Sequence, residues 1–246
     1  MSLNQSFDQQ GNFLFRYRGQ FPVFLFLLAI PFIYTTDYKF IVNYLPFLYI
    51  IGCIISFLGF LIRFYTIGTT PKGTSGRNTK KQIAETLNML GMYSVVRHPL
   101  YLGNYLIWLG ISITTCNMYF IIIMSFLFWL FYERIMFAEE KFLINKFGKE
   151  YFEWSSQTPA FFPCFSNFKS PEMSFSLITI LRREYASVLS CVIGFVYIEF
   201  LKNYSMYGCF KISTLTLYIL IFLLVIVIIL RSLKHYTKIL NEDNRS

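Results

Sequence analysis

From Ile212 to Leu230 the chain carries no charged side chain and consists mostly of Leu, Ile, Val, Phe and Tyr. A helix of about 20 apolar residues crosses the hydrocarbon core of a bilayer, where a helix satisfies its backbone internally. Further apolar runs lie at 21–36, 46–67, 100–116, 118–133 and 186–201, the first of them short and holding Pro22 and Pro31. Only 14% of the residues are charged, about half of the roughly 25% that a soluble domain carries. Hydrophobic residues reach 55% and aromatics 20%, which excludes a disordered chain. The pattern predicts an all-α, polytopic membrane protein of about six transmembrane helices.

Charge orients the spans. Arg16 and Arg18 precede the first run, and Lys72, Arg77, Lys80, Lys81 and Arg97 follow the second. A larger basic set, from Arg134 to Arg183, follows the fourth, and the tail after the sixth holds Arg231, Lys234, Lys238 and Arg245. The alternate loops hold only Lys39, Lys202 and Lys211. Positive residues mark cytoplasmic loops, so both termini are expected in the cytoplasm. The net charge of +9 is spent on orientation, and nucleic acid is not an expected partner. The polar opening, with no small-residue cleavage site after the first apolar run, argues against a signal peptide. Five scattered cysteines and two histidines suggest neither a disulfide framework nor a metal site. The Phe-, Ile-, Asn- and Lys-rich usage leans toward an AT-rich genome and a bacterial inner membrane. By character the chain divides into residues 1–163, where apolar runs alternate with polar motifs, and 164–246, a linker with two plain spans.

The polar content is concentrated in three segments. Gly68 to Lys81 combines three glycines with Thr74, Ser75, Arg77, Lys80 and Lys81. Those groups suit an oxyanion, or else a solvated loop against anionic headgroups, worth about 1 kcal/mol per basic residue. Arg97-His98-Pro99 opens the third apolar run, with Tyr101, Gly103 and Asn104 beyond it. Pro99 suits a first helical turn, and a helix N-terminus welcomes an anionic group. The third segment, 133–151, holds Glu133, Arg134, Glu139 and Glu140 and closes on Phe147-Gly148 and Tyr151. Glu133, Phe137 and Glu140 share a helical face. Paired glutamates directly after a span need a partner or a ligand if they are buried.

Arg97-His98-Pro99-x-Tyr101-x-Gly103, followed by Glu139-Glu140, Phe147-Gly148-x-x-Tyr151 and Pro163, resembles the isoprenylcysteine carboxyl methyltransferase and phospholipid methyltransferase superfamily. The resemblance covers roughly residues 50–163. It implies an integral membrane enzyme that takes its methyl group from S-adenosylmethionine at a cytoplasmic site. Arg97, His98, Tyr101, Gly103 and Glu139 would line the cofactor pocket, and Glu139, Glu140 and Arg134 would carry the catalytic end. No metal is implied. The last 80 or so residues are not accounted for by the resemblance.

Methyl transfer from a sulfonium is an in-line displacement that needs alignment above all, worth up to ~7–11 kcal/mol. A carboxylate or phosphate is already ionised at neutral pH, whereas an amine of pKa near ~10 must first lose a proton. Arg77, Lys80 and Lys81 would hold such an anion, which favours an anionic lipid headgroup, as on a lipid A-like glycolipid, or a prenylcysteine carboxylate. Three alternatives remain: an NADPH-dependent sterol-type reductase of similar architecture, a phospholipid amine N-methyltransferase, and a non-enzymatic transporter or assembly factor.

Overall fold

A computed structural model describes residues 2–74, 82, 84–242 and 245. Among them the chain is helical, and no strand forms beyond one bridge between Gly91 and Lys169. The first helix, α1 (Leu3–Tyr17), lies in the polar opening where no span was expected. Ser2 and Gln5 form a reciprocal capping box at its start, which satisfies two of the orphan amides of a helix N-terminus. Its narrow apolar stripe buries Gly11 and Phe15, too little for a hydropathy scan to register.

Four helical stretches are long and apolar enough to cross a bilayer: 42–69, 118–147, 177–207 and 214–236. Two shorter apolar helices accompany them, α2 (Phe21–Thr35) and, further on, α5 (Pro99–Ile113). At about 1.5 Å per residue each rises roughly 22 Å, less than the ~30 Å hydrocarbon core. All six expected apolar runs are therefore helical, four of them at spanning length.

Helix α3 (Leu45–Thr69) enters through Pro46 and runs to the polar loop after Thr70. Helix α4 (Met92–Val95) is a single turn just before α5. Residues 114–117 turn the chain from α5 into α6 (Met118–Phe147), with Asn117 capping α6 and donating to Thr36 Oγ1 at 2.8 Å. Helix α6 continues well past the apolar run that ends at 133, so the expected charged stretch is its extension rather than a separate element. Gly148 ends it at φ +52°, a left-handed conformation that a side chain would resist. After it comes α7 (Lys149–Gln157). Helix α8 (Leu177–Tyr207) begins nine residues before the apolar run does and ends on left-handed Gly208, while α9 (Thr214–Tyr236) packs chiefly on α8.

The tightest contact in the fold joins α3 to α5. A Cβ on Gly59 would lie 2.6 Å from the Gly103 carbonyl oxygen and 2.9 Å from the Ile107 nitrogen. Gly52 faces the Gly110 carbonyl in the same way at 2.5 Å, and Ser56 donates to the Ile107 carbonyl at 3.0 Å between them. Small residues let membrane helices approach backbone to backbone, which replaces the hydrophobic drive that lipid cannot supply. A second close approach seats α1 on α6, with Gly11 against Ala138 and the Arg134 carbonyl.

Gly59→Val is expected to prise α3 from α5 and lower the thermal midpoint in detergent, at a cost of about 1–3 kcal/mol or more. Gly19→Ala, which meets nothing within 4 Å, should leave the midpoint in place. Equal midpoints for the two variants would refute the seam.

Candidate active site

His98 is the residue before α5, with Pro99 at the first helical position. The imidazole is buried, at 7% exposure, and sits between two carboxylates. Nε2 lies 2.9 Å from Glu140 Oε1 and Nδ1 lies 3.6 Å from Glu139 Oε2. Tyr101, one turn along, donates to Glu139 Oε1 at 2.7 Å, and Arg97 Nη1 donates to Glu140 Oε2 at 3.2 Å. Tyr151 of α7 stands 3.4 Å from the same Arg97 nitrogen. The tip of α5 and the extension of α6 thus meet as one network of alternating charge.

Burial alone would depress the His98 pKa, but hydrogen bonds and charge from Glu139 and Glu140 outweigh it and raise the value. The Tyr93 and Tyr151 phenols are pushed up by burial, reinforced by Glu139 and Glu140 respectively, so both stay protonated at neutral pH. Trp154 of α7 donates to the Tyr93 carbonyl at 3.0 Å. The segment after α7 then doubles back along the motif: Arg97 N–H donates to the Pro159 carbonyl, and Cys164 N–H donates to the Val95 carbonyl. These bonds hold 91–97 against the helix bundle.

Deeper in the bundle lies a second network that the sequence did not disclose. Arg63 of α3 makes a two-pronged ion pair with Glu184 of α8, both contacts at 2.8 Å, and its Nη1 donates to Asn104 Oδ1 at 2.5 Å. Asn104 in turn donates to Tyr132 Oη at 3.3 Å. The Glu184 side chain is 2% exposed. A lone Arg within an apolar run is a standing sign of a functional or paired site, but a partner 121 residues away cannot be read from spacing.

Both networks face one cavity of about 570 Å³, within the usual range for a small-molecule site. Arg97, His98, Tyr101, Glu139 and Glu140, all expected at the site, line it together. Arg63, Asn104, Tyr132, Glu184, Tyr93 and Gln82 line it too and were not expected there. Two expected residues are elsewhere. Gly103 does not line the cavity; it packs against Gly59, and a Cβ there would lie 2.6 Å from Arg63 Cγ, so its smallness makes room for Arg63. Arg134 turns toward α1, 2.5 Å from Glu133 and 4.2 Å over the Phe7 ring, away from the cavity. Arg77, Lys80 and Lys81 lie outside the described residues.

The cavity offers donors to a ligand. Arg97 Nε and Gln82 Nε2 are buried and have no hydrogen-bond partner among the described residues. A buried donor left unpaired is costly, and both residues line the cavity. A polar cofactor bearing carboxylate, hydroxyl or ring-nitrogen acceptors fits that need. Among the described residues no group of three or more His, Cys, Asp or Glu could hold a metal ion.

Residues 47–150 match the phospholipid methyltransferase family. Over 111 residues the chain is 33% identical to the protein-S-isoprenylcysteine O-methyltransferase of Saccharomyces cerevisiae, covering 44% of this chain and 46% of that one. It is 37% identical over 84 residues to the cobalt-zinc-cadmium resistance protein CzcN of Cupriavidus metallidurans, covering 34% and 38%. The protein-S-isoprenylcysteine O-methyltransferase B of Arabidopsis thaliana is 37% identical over 74 residues, covering 30% and 37%. The chain thus spans less than half the length of these relatives. No solved structure matches it. The segment from 47 to 150, which carries most of α3 and all of α5 and α6, is thus similar to phospholipid methyltransferases and to isoprenylcysteine O-methyltransferases.

Because the His98 pKa is raised, the charged link to Glu139 and Glu140 is fully formed below the ordinary value of about 6.5. It is lost as pH climbs through the raised value. Thermal midpoints should therefore fall as pH rises above about 6.5 in the parent protein, and His98→Gln should flatten that slope. A variant with the parental slope would show that His98 does not titrate in this range.

Proposed function

We propose that the protein is an integral membrane methyltransferase that uses S-adenosylmethionine and modifies an anionic group on a membrane-embedded, lipidated acceptor. A prenylcysteine carboxylate is the first choice, and a lipid phosphate is the second. The observation that carries this reading is the state of the carboxylates in the cavity. Glu139 is held by Tyr101 and His98, Glu140 by His98 and Arg97, and Glu184 by Arg63. None is poised as a base. An amine or hydroxyl acceptor would need one within hydrogen-bond reach, whereas a carboxylate or phosphate needs none.

The charge balance agrees. Arg18, Arg63, Arg97 and Arg183 line the cavity against Glu139, Glu140 and Glu184, an excess of one positive charge before His98 is counted. Arg97, His98, Glu139 and Glu140 would hold the cofactor, with the orphan donors of Arg97 and Gln82 turned to its acceptors. Bound there, S-adenosylmethionine supplies an electrophilic methyl group. The residues of the chain bind and orient: Tyr101 fixes Glu139, Arg97 and His98 fix Glu140, and the aromatic walls exclude water. The six apolar helices and the clustering of Lys and Arg support six membrane segments with both termini and the cofactor site on the cytoplasmic side.

Membranes containing the protein, given methyl-labelled S-adenosylmethionine, should transfer label to an endogenous lipid or to S-farnesyl N-acetylcysteine. Glu140→Gln and His98→Ala should each cut transfer about 10²-fold, as expected when a reacting group is misplaced by an ångström. Absence of label in both lipid and protein fractions, with NADPH rather than S-adenosylmethionine raising the melting point, would assign a reductase instead. Neutralising Arg77, Lys80 and Lys81 together should raise the acceptor KM several-fold and leave the KM for S-adenosylmethionine unchanged. An unmoved acceptor KM would remove the basic loop from acceptor binding.

A further inference from the structure

The family match ends at residue 150, yet one wall of the cavity comes from α8, which starts at Leu177. Arg183, Glu184, Ala186, Ser187, Ser190 and Cys191 all line the cavity. Their spacing of three and four residues puts them on one helical face. A membrane helix gains nothing by displaying such residues to lipid, and here the face is turned to the cavity.

The wall has a polar end and an apolar end. At the polar end Glu184 grips Arg63. At the other end Gly194 closes against α5 and α2, where an added Cβ would lie 3.0 Å from Ile111 Cδ1 and 3.1 Å from Phe26 Cζ. Ile111 and Phe26 themselves line the cavity, so this contact is its floor. Gly194 lies ten residues on from Glu184 along the helix, about 15 Å at 1.5 Å per residue. Between them Ala186 is part-buried and Ser190 is exposed. A slot with charge at one end and an apolar floor one tail-length away is complementary to an amphiphile.

We propose that α8 is the acceptor-selecting wall of this site. The Arg63–Glu184 pair and Arg183 meet the anionic head, and the Ala186–Ser190 face sets how long an apolar tail the site accepts. The inference rests on the reading of the site as one for a lipidated anion, and its tail-length element has a test that requires no methyl transfer. Ala186 and Ser190 are small, and a phenyl ring at either position would shorten the slot without touching the cofactor network.

The full chain in detergent is irradiated with a diazirine-bearing farnesyl thioether of N-acetylcysteine, and the labelled peptides are mapped. Label is expected on α8 between Ala186 and Gly194, reduced at least tenfold in Ala186→Phe or Ser190→Phe, with protection of the thermal midpoint by S-adenosylmethionine retained as the sign of a folded chain. In turnover, the same variants should raise the KM for the geranylgeranyl thioether at least tenfold relative to the geranyl one. Label confined to α9 or to the outer faces of the bundle, unaltered in both variants, overturns the proposal. So does an unchanged preference among tail lengths. Label on α8 without methyl transfer by the parent protein would retain the wall and dismiss the transferase.

Discussion

Helices α3 and α5 touch backbone to backbone through Gly52, Gly59, Gly103 and Gly110, and every other feature of the site is hung from that seam. In a bilayer two apolar helices gain little by meeting, because lipid tails solvate them equally well; close approach has to supply the attraction through dispersion and short polar contacts. Glycine does so at the cost of leaving no side chain to fill the crossing. The consequence is geometric. With the helices pressed together at Gly59 and Gly103, the Arg63 side chain emerges one turn above the contact and beside Asn104, and His98 stands just before α5, a turn from Leu102. The same crossing that stabilises the pair therefore spaces the two polar networks along one cavity.

Charge is carried into this cavity in compensated units. Arg63 and Glu184 neutralise one another, and Arg97 and His98 stand against Glu139 and Glu140. Isolated buried ions are expensive, and breaking a buried pair by removing one partner costs about 3–5 kcal/mol. Paired as they are, these groups remain rigid in a low-dielectric surround, where fixed dipoles act most strongly on a ligand.

The sequence made the helices legible because apolar runs and basic loops are one-dimensional signals. It made half of the site legible because Arg97, His98 and Tyr101 are neighbours in the chain, and Glu139 and Glu140 are adjacent to one another. What it hid depended on pairing across the bundle. Arg63 and Glu184 become meaningful only when α8 folds back beside α3. The amphipathic α1 was obscured by its polar side. Two assignments by motif position gave way to sterics: Gly103 makes room for Arg63 rather than lining the cavity, and Arg134 faces Phe7 of α1. The basic segment from 75 to 81 lies outside the described residues, so Arg77, Lys80 and Lys81 stand on their chemistry alone.

The ion pair between α3 and α8 also bears on how chains of this kind can be recombined. A matched segment that ends at residue 150 looks like a portable unit to which different trailing helices can be attached. Arg63 belongs to that segment and its counter-ion does not. Exchanging the trailing helices for a pair without a carboxylate at this depth would take the counter-ion from Arg63 and leave it the neutral Asn104 amide. Change at either position is felt at the other, which ties the trailing helices to a single residue inside the segment that precedes them.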